Sequence, residues 1–469
     1  MSKFMWVFGA SALALLLPML WSTPAQAASD ADLAEIREQI RQLKEGYEAR
    51  IQALGQKLKQ AEAATPGVAA AAPPPPVPLA APPAAAPSAG LSAFNPAISA
   101  VLQGTYSNLS QDPSRYAITG FALGSDVSPG KRGFSLGESE LAISANVDDK
   151  FAGNLIVSLT PENTVSVEEA YGIVTALPEG LTQGLTPKFG RFFSGLGYLN
   201  EQHQHVWDFV DAPLAYQAFL GGQYANDGLQ LKWIAPTDQF LEFGAEVGNG
   251  ANSPGTDRNK NGVGNGTVYL HTGGDIGASH SWRAGLSYLQ TRAQDRQYSQ
   301  FDLAGNNAQL AFDGSSHVAI ADFVWKYAPN GNAQTTNFKV QGEYFWRRER
   351  GDLTYDRDGT LGLTQTAAYA SAQRGWYLQG VYQFMPYWRV GARYDRLDPG
   401  SVDYGANAAY LALPSFHPQK SSLMFDYTPS EFSRIRLQLA QSKVRPDVTD
   451  NEWFIQYILT LGAHGAHRY

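Results

Sequence analysis

The chain has 469 residues, with 35 Lys+Arg against 43 Asp+Glu for a formal net charge of −8, and it holds 46 Gly, 23 Tyr, 10 Trp and no cysteine. Without cysteine there is no disulfide scaffold, thiolate enzyme or iron–sulfur site, and the acidic balance argues against a nucleic-acid partner. A mean hydropathy of −0.26 with so many Gly and aromatic residues suits strands that alternate polar and apolar side chains, as a transmembrane β-barrel requires.

Residues 1–27 read as a secretory signal peptide. Lys3 gives the positive start, Met5 to Leu20 is apolar, and Ala25-Gln26-Ala27 is a small-x-small cleavage site. No later stretch has about 18 apolar residues free of helix breakers, so any return to a membrane has to use strands. Residues 28–64 predict a helix. Leu33, Ile36, Ile40, Leu43 and Tyr47 alternate spacings of three and four, and Ile51, Leu54, Leu58 and Ala61 continue after one extra step of four. That is a heptad seam with a stutter, expected to self-associate as a coiled coil. Residues 65–96, Ala- and Pro-rich with Pro73 to Pro76 in a row, predict an extended spacer.

Residues 97–469 carry period-two strands. Phe338, Val340, Tyr344 and Trp346 share one parity; Lys339, Gln341 and Glu343 take the other. Sixteen such segments are expected, among them 133–147, 280–291 and 315–328. Short turns such as Ala235-Pro236-Thr237-Asp238 alternate with long polar loops such as 107–132, 194–222 and 249–265. Trp233, Trp282, Trp325, Trp346, Trp376, Trp388 and Trp453 all fall on the apolar parity, as an interfacial girdle would. The expected fold is therefore all-β: a transmembrane, antiparallel, up-and-down β-barrel in the bacterial outer membrane, surrounded by its lipid. The even strand count places both barrel ends, and the N-terminal coiled-coil helix, on the periplasmic side.

The run Val167-Glu168-Glu169-Ala170-Tyr171-Gly172-Ile173 followed by Pro187-Lys188-Phe189-Gly190-Arg191-Phe192-Phe193 resembles a hairpin of the phosphate-selective porin (porin O and P) group. That resemblance implies a sixteen-stranded homotrimeric channel. The C-terminal run from Gln456 to Tyr469, with the coiled coil and Pro/Ala linker, is similar to proteobacterial outer-membrane proteins labelled zinc-regulated TonB-dependent receptors. A transporter of that kind needs a plug and about 22 strands, for which residues 97–469 leave no room. The third loop also lacks the stacked basic residues on which the porin group's phosphate preference depends; Arg191 at its edge is the nearby candidate.

A porin selects by the size and charge of a wet path. Lumen parity assigns basic groups to Lys188, Arg347, Arg389, Arg393, Arg434 and Arg436, the last four forming a basic wall on neighbouring strands, opposed by Glu138, Glu140, Glu242 and Glu246. Opposed walls would set up a transverse field; local pairing is the alternative. The 194–222 loop is the expected constriction. It contains Glu201, His203, His205 and Asp208, and His-x-His flanked by two carboxylates suits zinc or a similar divalent ion; hydrogen-bonded packing is the plainer expectation. His464 and His467 add two more imidazoles near the C-terminus. No G-x-S-x-G elbow is present, and the chain does not read as an enzyme. The expected function is passive diffusion of small hydrophilic solutes or ions, with no obligatory cofactor. The alternatives are a metal-linked uptake protein and a structural anchor with a sealed barrel.

Overall fold

The computed structural model describes residues 96–124, 127–160, 164–177, 183–413 and 415–462. The expected signal peptide, coiled coil and all of the linker but Pro96 lie outside these residues, as do His464 and His467. The strands are β1 (Ala97–Leu109), β2 (Gly133–Leu136), β3 (Ser139–Asn146), β4 (Phe151–Leu159), β5 (Val165–Val174), β6 (Leu185–Phe193), β7 (Ala225–Ile234), β8 (Phe240–Gly248), β9 (Asn265–Ile276), β10 (His280–Phe301), β11 (Asn307–Tyr327), β12 (Asn337–Tyr355), β13 (Gln365–Met385), β14 (Trp388–Asp403), β15 (Gln419–Ser430), β16 (Ser433–Arg445) and β17 (Val448–Gly462). Each pairs antiparallel with its sequence neighbour from β3 to β17. The sheet closes because β1 pairs with β17 on one edge and with β2 and β3 on the other. β2 and β3 share one place, so the barrel has sixteen staves. Closure gives every stave a partner on both sides, the condition for crossing lipid. Among the described residues no helix is long and apolar enough to cross a membrane.

Three expected strands need correction. The 133–147 segment is interrupted at Gly137, where a Cβ would lie 2.4 Å from the Gln103 side chain. The Gln103 side chain is buried at this point, and Gly137 N–H donates to the backbone carbonyl of Gln103. The 280–291 and 315–328 strands extend to Phe301 and back to Asn307. Beyond Thr291 the outward positions turn polar, as at Arg292 and Gln294, so the apolar alternation stops while the ladder continues.

Burial follows the parity, turned inside out. On β16, Arg436 and Gln438 are fully buried inside, while Ile435, Leu437 and Leu439 are 40–52% exposed on the outer wall. All seven Trp residues of the expected girdle occupy outward positions of their strands. An apolar outer wall of this extent is suited to hydrocarbon and not to water.

Leu439 sits midway along β16. We expect Leu439→Arg to lower the stability of the bilayer-folded barrel by about 2–4 kcal/mol, read by urea titration in lipid vesicles; an unchanged midpoint would show that this face does not meet lipid.

Candidate functional site

The 194–222 loop lies inside the barrel. Its first residues are held by Glu246, which accepts from Ser194 Oγ at 2.6 Å and Gly195 N–H at 2.9 Å. Gly197 N–H donates to Ser287 Oγ. Gly197 has φ +67°, and a Cβ there would meet Glu343 Oε2 at 2.3 Å. Glycine is thus required both for the left-handed turn and for the close approach. Glu343, on β12, gathers Tyr198 N–H, Leu199 N–H, Tyr216 Oη–H and Tyr377 Oη–H.

The loop then ends in helix α1 (Leu214–Leu220), every residue of which is buried. Asp395 Oδ1 accepts the Leu214 N–H at the helix start, and Gly221 ends it at φ 68°. Tyr216 and Phe219 pack edge-on and stacked against Phe345. Leu289, Val318, Ile320, Tyr377, Leu397 and Val444 complete an apolar cluster within the lumen. Residues 110–124 fold over it. Phe121 meets Phe219 edge-on, and Tyr116 Oη donates to Gln217 Oε1 at 2.7 Å.

Charge ties the middle of the loop to the expected basic wall. Asp208 pairs with Lys339 and with Arg389 at 3.1 Å. Asp211 pairs with Arg393 at 3.0 Å and with Lys420 at 2.9 Å. Arg434 donates to the carbonyls of His205 and Trp207, and Arg436 donates to Trp207 and to Asp426. Arg347, under the helix, donates to Ala218 O at 2.9 Å and to Gln373. Burial opposes ionisation of Asp211, but Arg393 and Lys420 and a hydrogen bond from Gln438 hold its carboxyl well below the usual range.

The sequence-derived set divides. Arg347, Arg393 and Arg436 are 3% exposed or less; they hold the loop and do not line water. Arg389 and Arg434 keep 19–20% of their side chains exposed. Lys188 sits over the Tyr171 ring at 4.4 Å. Arg191 is a correction. It lies three residues from Lys188 and so takes the opposite parity; it is 43% exposed on the outer wall and pairs with Asp227 at 2.6 Å.

The expected metal set is also corrected. Glu201 pairs with Lys232 and Asp208 with Lys339 and Arg389, so neither stands beside the imidazoles. His203 and His205 instead face Glu140, Glu168 and Glu169. The two adjacent glutamates reach the same ring because β5 bulges. Glu169 pairs with Ile156 and Val167 with Val157, leaving Glu168 as the extra residue. Burial disfavours a charged His203, but hydrogen bonds to Glu168 and Glu169 and the charges of Glu140 and Glu169 outweigh it, keeping the imidazole protonated well above its usual range. Glu168, Glu169, Asp211 and Lys420 were not among the expected site residues. The Glu168-Glu169 pair was a signal in the sequence; the others reach their partners only through the fold.

No family model matches the chain. An uncharacterized protein of Aquifex aeolicus (strain VF5) is 32% identical over 357 residues, 72% of this chain and 70% of that protein. Among solved structures, the trimer form of OmpT of Vibrio cholerae has a TM-score of 0.47 at 11% identity, covering 78% of this chain and 99% of its own. The outer membrane channel DcaP of Acinetobacter baumannii gives 0.45 at 12%, over 78% and 97%. The anion-selective porin of Comamonas acidovorans gives 0.44 at 8%, over 78% and 99%.

A carboxylate whose pKa is lower in the folded state stabilises it above the unfolded value, and the effect is lost as pH falls through the folded value. Asp211, facing Arg393, Lys420, Asp395 and Glu452, therefore holds the loop above pH ~4 and releases it only in stronger acid. We expect proteolysis at pH 7 to spare the 194–222 loop in the natural protein and to cut it in Asp211→Ala. Removal of one partner of a buried pair costs about 3–5 kcal/mol. Equal protection in both proteins would contradict the latch.

Proposed function

This chain belongs to the same family as the Aquifex aeolicus protein, and we propose that it is an outer-membrane porin. Small hydrophilic solutes or ions would cross it passively, and the 194–222 loop would be the constriction. One observation carries this reading: a closed barrel with an apolar outer wall holds a polar loop inside by ion pairs from several staves. A sealed anchor needs only apolar filling. This lumen instead keeps partly exposed cationic heads: Lys232 13%, Arg283 19%, Lys339 21%, Arg389 19% and Arg434 20%.

The charge distribution supports a direction of selectivity. Around Asp208 and Asp426 stand Lys339, Arg389, Arg434 and Arg436, four cations to two carboxylates. The carboxylates are at most 4% exposed, so the water-facing side of this wall is positive. Across the loop, the glutamates around His203 form an acidic patch. Much of the expected basic wall is paired locally, and the transverse field survives only in this surplus. A narrow path beside cationic walls favours anions. A coiled coil over 28–64 would gather three chains on the periplasmic side through the 65–96 spacer, which fits a homotrimer.

The test is planar-bilayer current from the purified protein with a salt gradient. The expected result is discrete openings with a reversal potential on the anion side, moving toward the cation side in Arg389→Ala/Arg434→Ala. Folded protein that gives no current would overturn the porin reading in favour of a sealed anchor. A cation-side potential in the natural protein would overturn the selectivity alone.

A further inference from the structure

His203 and His205 lie on one stretch of the constriction loop with their rings stacked, centroids 5.8 Å apart. Their Nδ1 atoms converge on Glu140, at 3.4 Å from Oε2 and 2.8 Å from Oε1 respectively. Glu168 Oε2 stands 2.9 Å from His203 Nδ1. One donor atom from each of Glu140, Glu168 and His203 lies within 4.8 Å of the other two.

The second nitrogen of His203 supplies an independent observation. Its Nε2 is 3.1 Å from Glu169 Oε2, and the other Glu169 oxygen is fixed by Phe193 N–H at 3.0 Å. A carboxylate that orders one ring N–H, with the opposite nitrogen turned into a ligand set, is the outer-shell arrangement of metal-bound histidines. In neutral His203 with its proton on Nε2, the Nδ1 lone pair faces carboxylate lone pairs, which repel unless a cation sits between them.

Charge balance is compatible with an ion here. Among the described residues, the ion pairs of Glu140, Glu168 and Glu169 are all with the two imidazoles, and the Glu138 carboxyl shares a hydrogen bond with Glu168. The side chains are 4–15% exposed. Buried carboxylates in excess of their partners are neutralised by a proton or by a metal. A divalent ion with both imidazoles neutral balances Glu140 and Glu168 and leaves Glu169 as the one remaining negative charge, the same remainder that two protonated imidazoles would leave. Bonds of about 2.0–2.1 Å in a tetrahedral site put neighbouring ligand atoms about 3.3 Å apart; the 3.4 Å contact matches, and the 2.8 and 2.9 Å hydrogen-bond contacts would open to admit the ion.

We propose that His203, His205, Glu140 and Glu168 form a binding site for a zinc-class divalent cation, with Glu169 orienting His203. The donor set of two nitrogens and two oxygens selects borderline first-row ions over calcium or magnesium. Because the histidines are on the loop and the glutamates on β3 and β5, the bound ion fastens the constriction to that part of the wall.

The experiment uses the full chain, folded in detergent and stripped with chelator, then dialysed to equilibrium against zinc chloride with bound metal counted. The expected result is one zinc per chain. Binding falls at least tenfold in His203→Ala/His205→Ala and in Glu168→Gln, and is unchanged in His317→Ala, whose ring lies on the outer wall against Tyr288. Cobalt in place of zinc gives the visible bands of a tetrahedral site, absent from the variants. Gel mobility with and without heating shows which variants fold; if the double histidine variant does not, Glu168→Gln decides. No bound zinc in the natural protein, or equal binding in the folded variants, would overturn the proposal and leave a protonated imidazole as the neutralising group. Binding is read without current, so its failure is distinct from failure of the porin reading.

Discussion

The structure depends on ion pairing between the loop and the inner wall. A barrel in lipid turns apolar residues outward, so its inner positions are left to polar and charged groups. Those groups need water or partners. Here Asp208 and Asp211 carry negative charge from a loop to Lys339, Arg389, Arg393 and Lys420 on three different staves, β12, β14 and β15. The apolar cluster around Tyr216 and Phe219 forms beyond these contacts. Burying ions is costly, and such pairs specify an arrangement more than they stabilise it. Specification is what the proposed constriction needs: a fixed course for a segment whose own regular structure is a seven-residue α-helix and one 3-10 turn.

The same constraint explains which interior cations face solute. Arg436 and Arg393 are enclosed by their carboxylate and carbonyl partners. Arg389 and Arg434 stand at the margin of the network, where the acids lie beneath them. Charge that is numerous in the sequence is therefore sparse at the water surface. On the proposed porin reading, selectivity follows the few partly exposed cations, not the total.

The barrel was legible because its signal is local. Period-two alternation, short turns and outward Trp positions each follow from residues a few places apart. Strand limits failed where locality failed: β10 runs on past the apolar belt because β11 continues to pair with it. The loop's location was legible from its length and its glycines, but its partners were not. Val210 N–H meets Gln438 Oε1 across 228 positions, and nothing near Val210 announces this. The metal-type cluster was half visible. His203-x-His205 stood out, yet the nearest carboxylates in sequence were drawn off by Lys232, Lys339 and Arg389, and the true neighbours came from a bulge in β5. Arg191 failed by parity, which its spacing from Lys188 already contained.

The central claim is that the loop sets the aperture. It is tested most directly by single-channel conductance of a variant in which residues 201–212 are replaced by a short glycine linker, which removes the charged ties and leaves α1 in place. The account predicts discrete openings several-fold larger than those of the natural protein, under the same salt and voltage. Equal conductance from two folded proteins would contradict it, because the aperture would then lie elsewhere in the barrel.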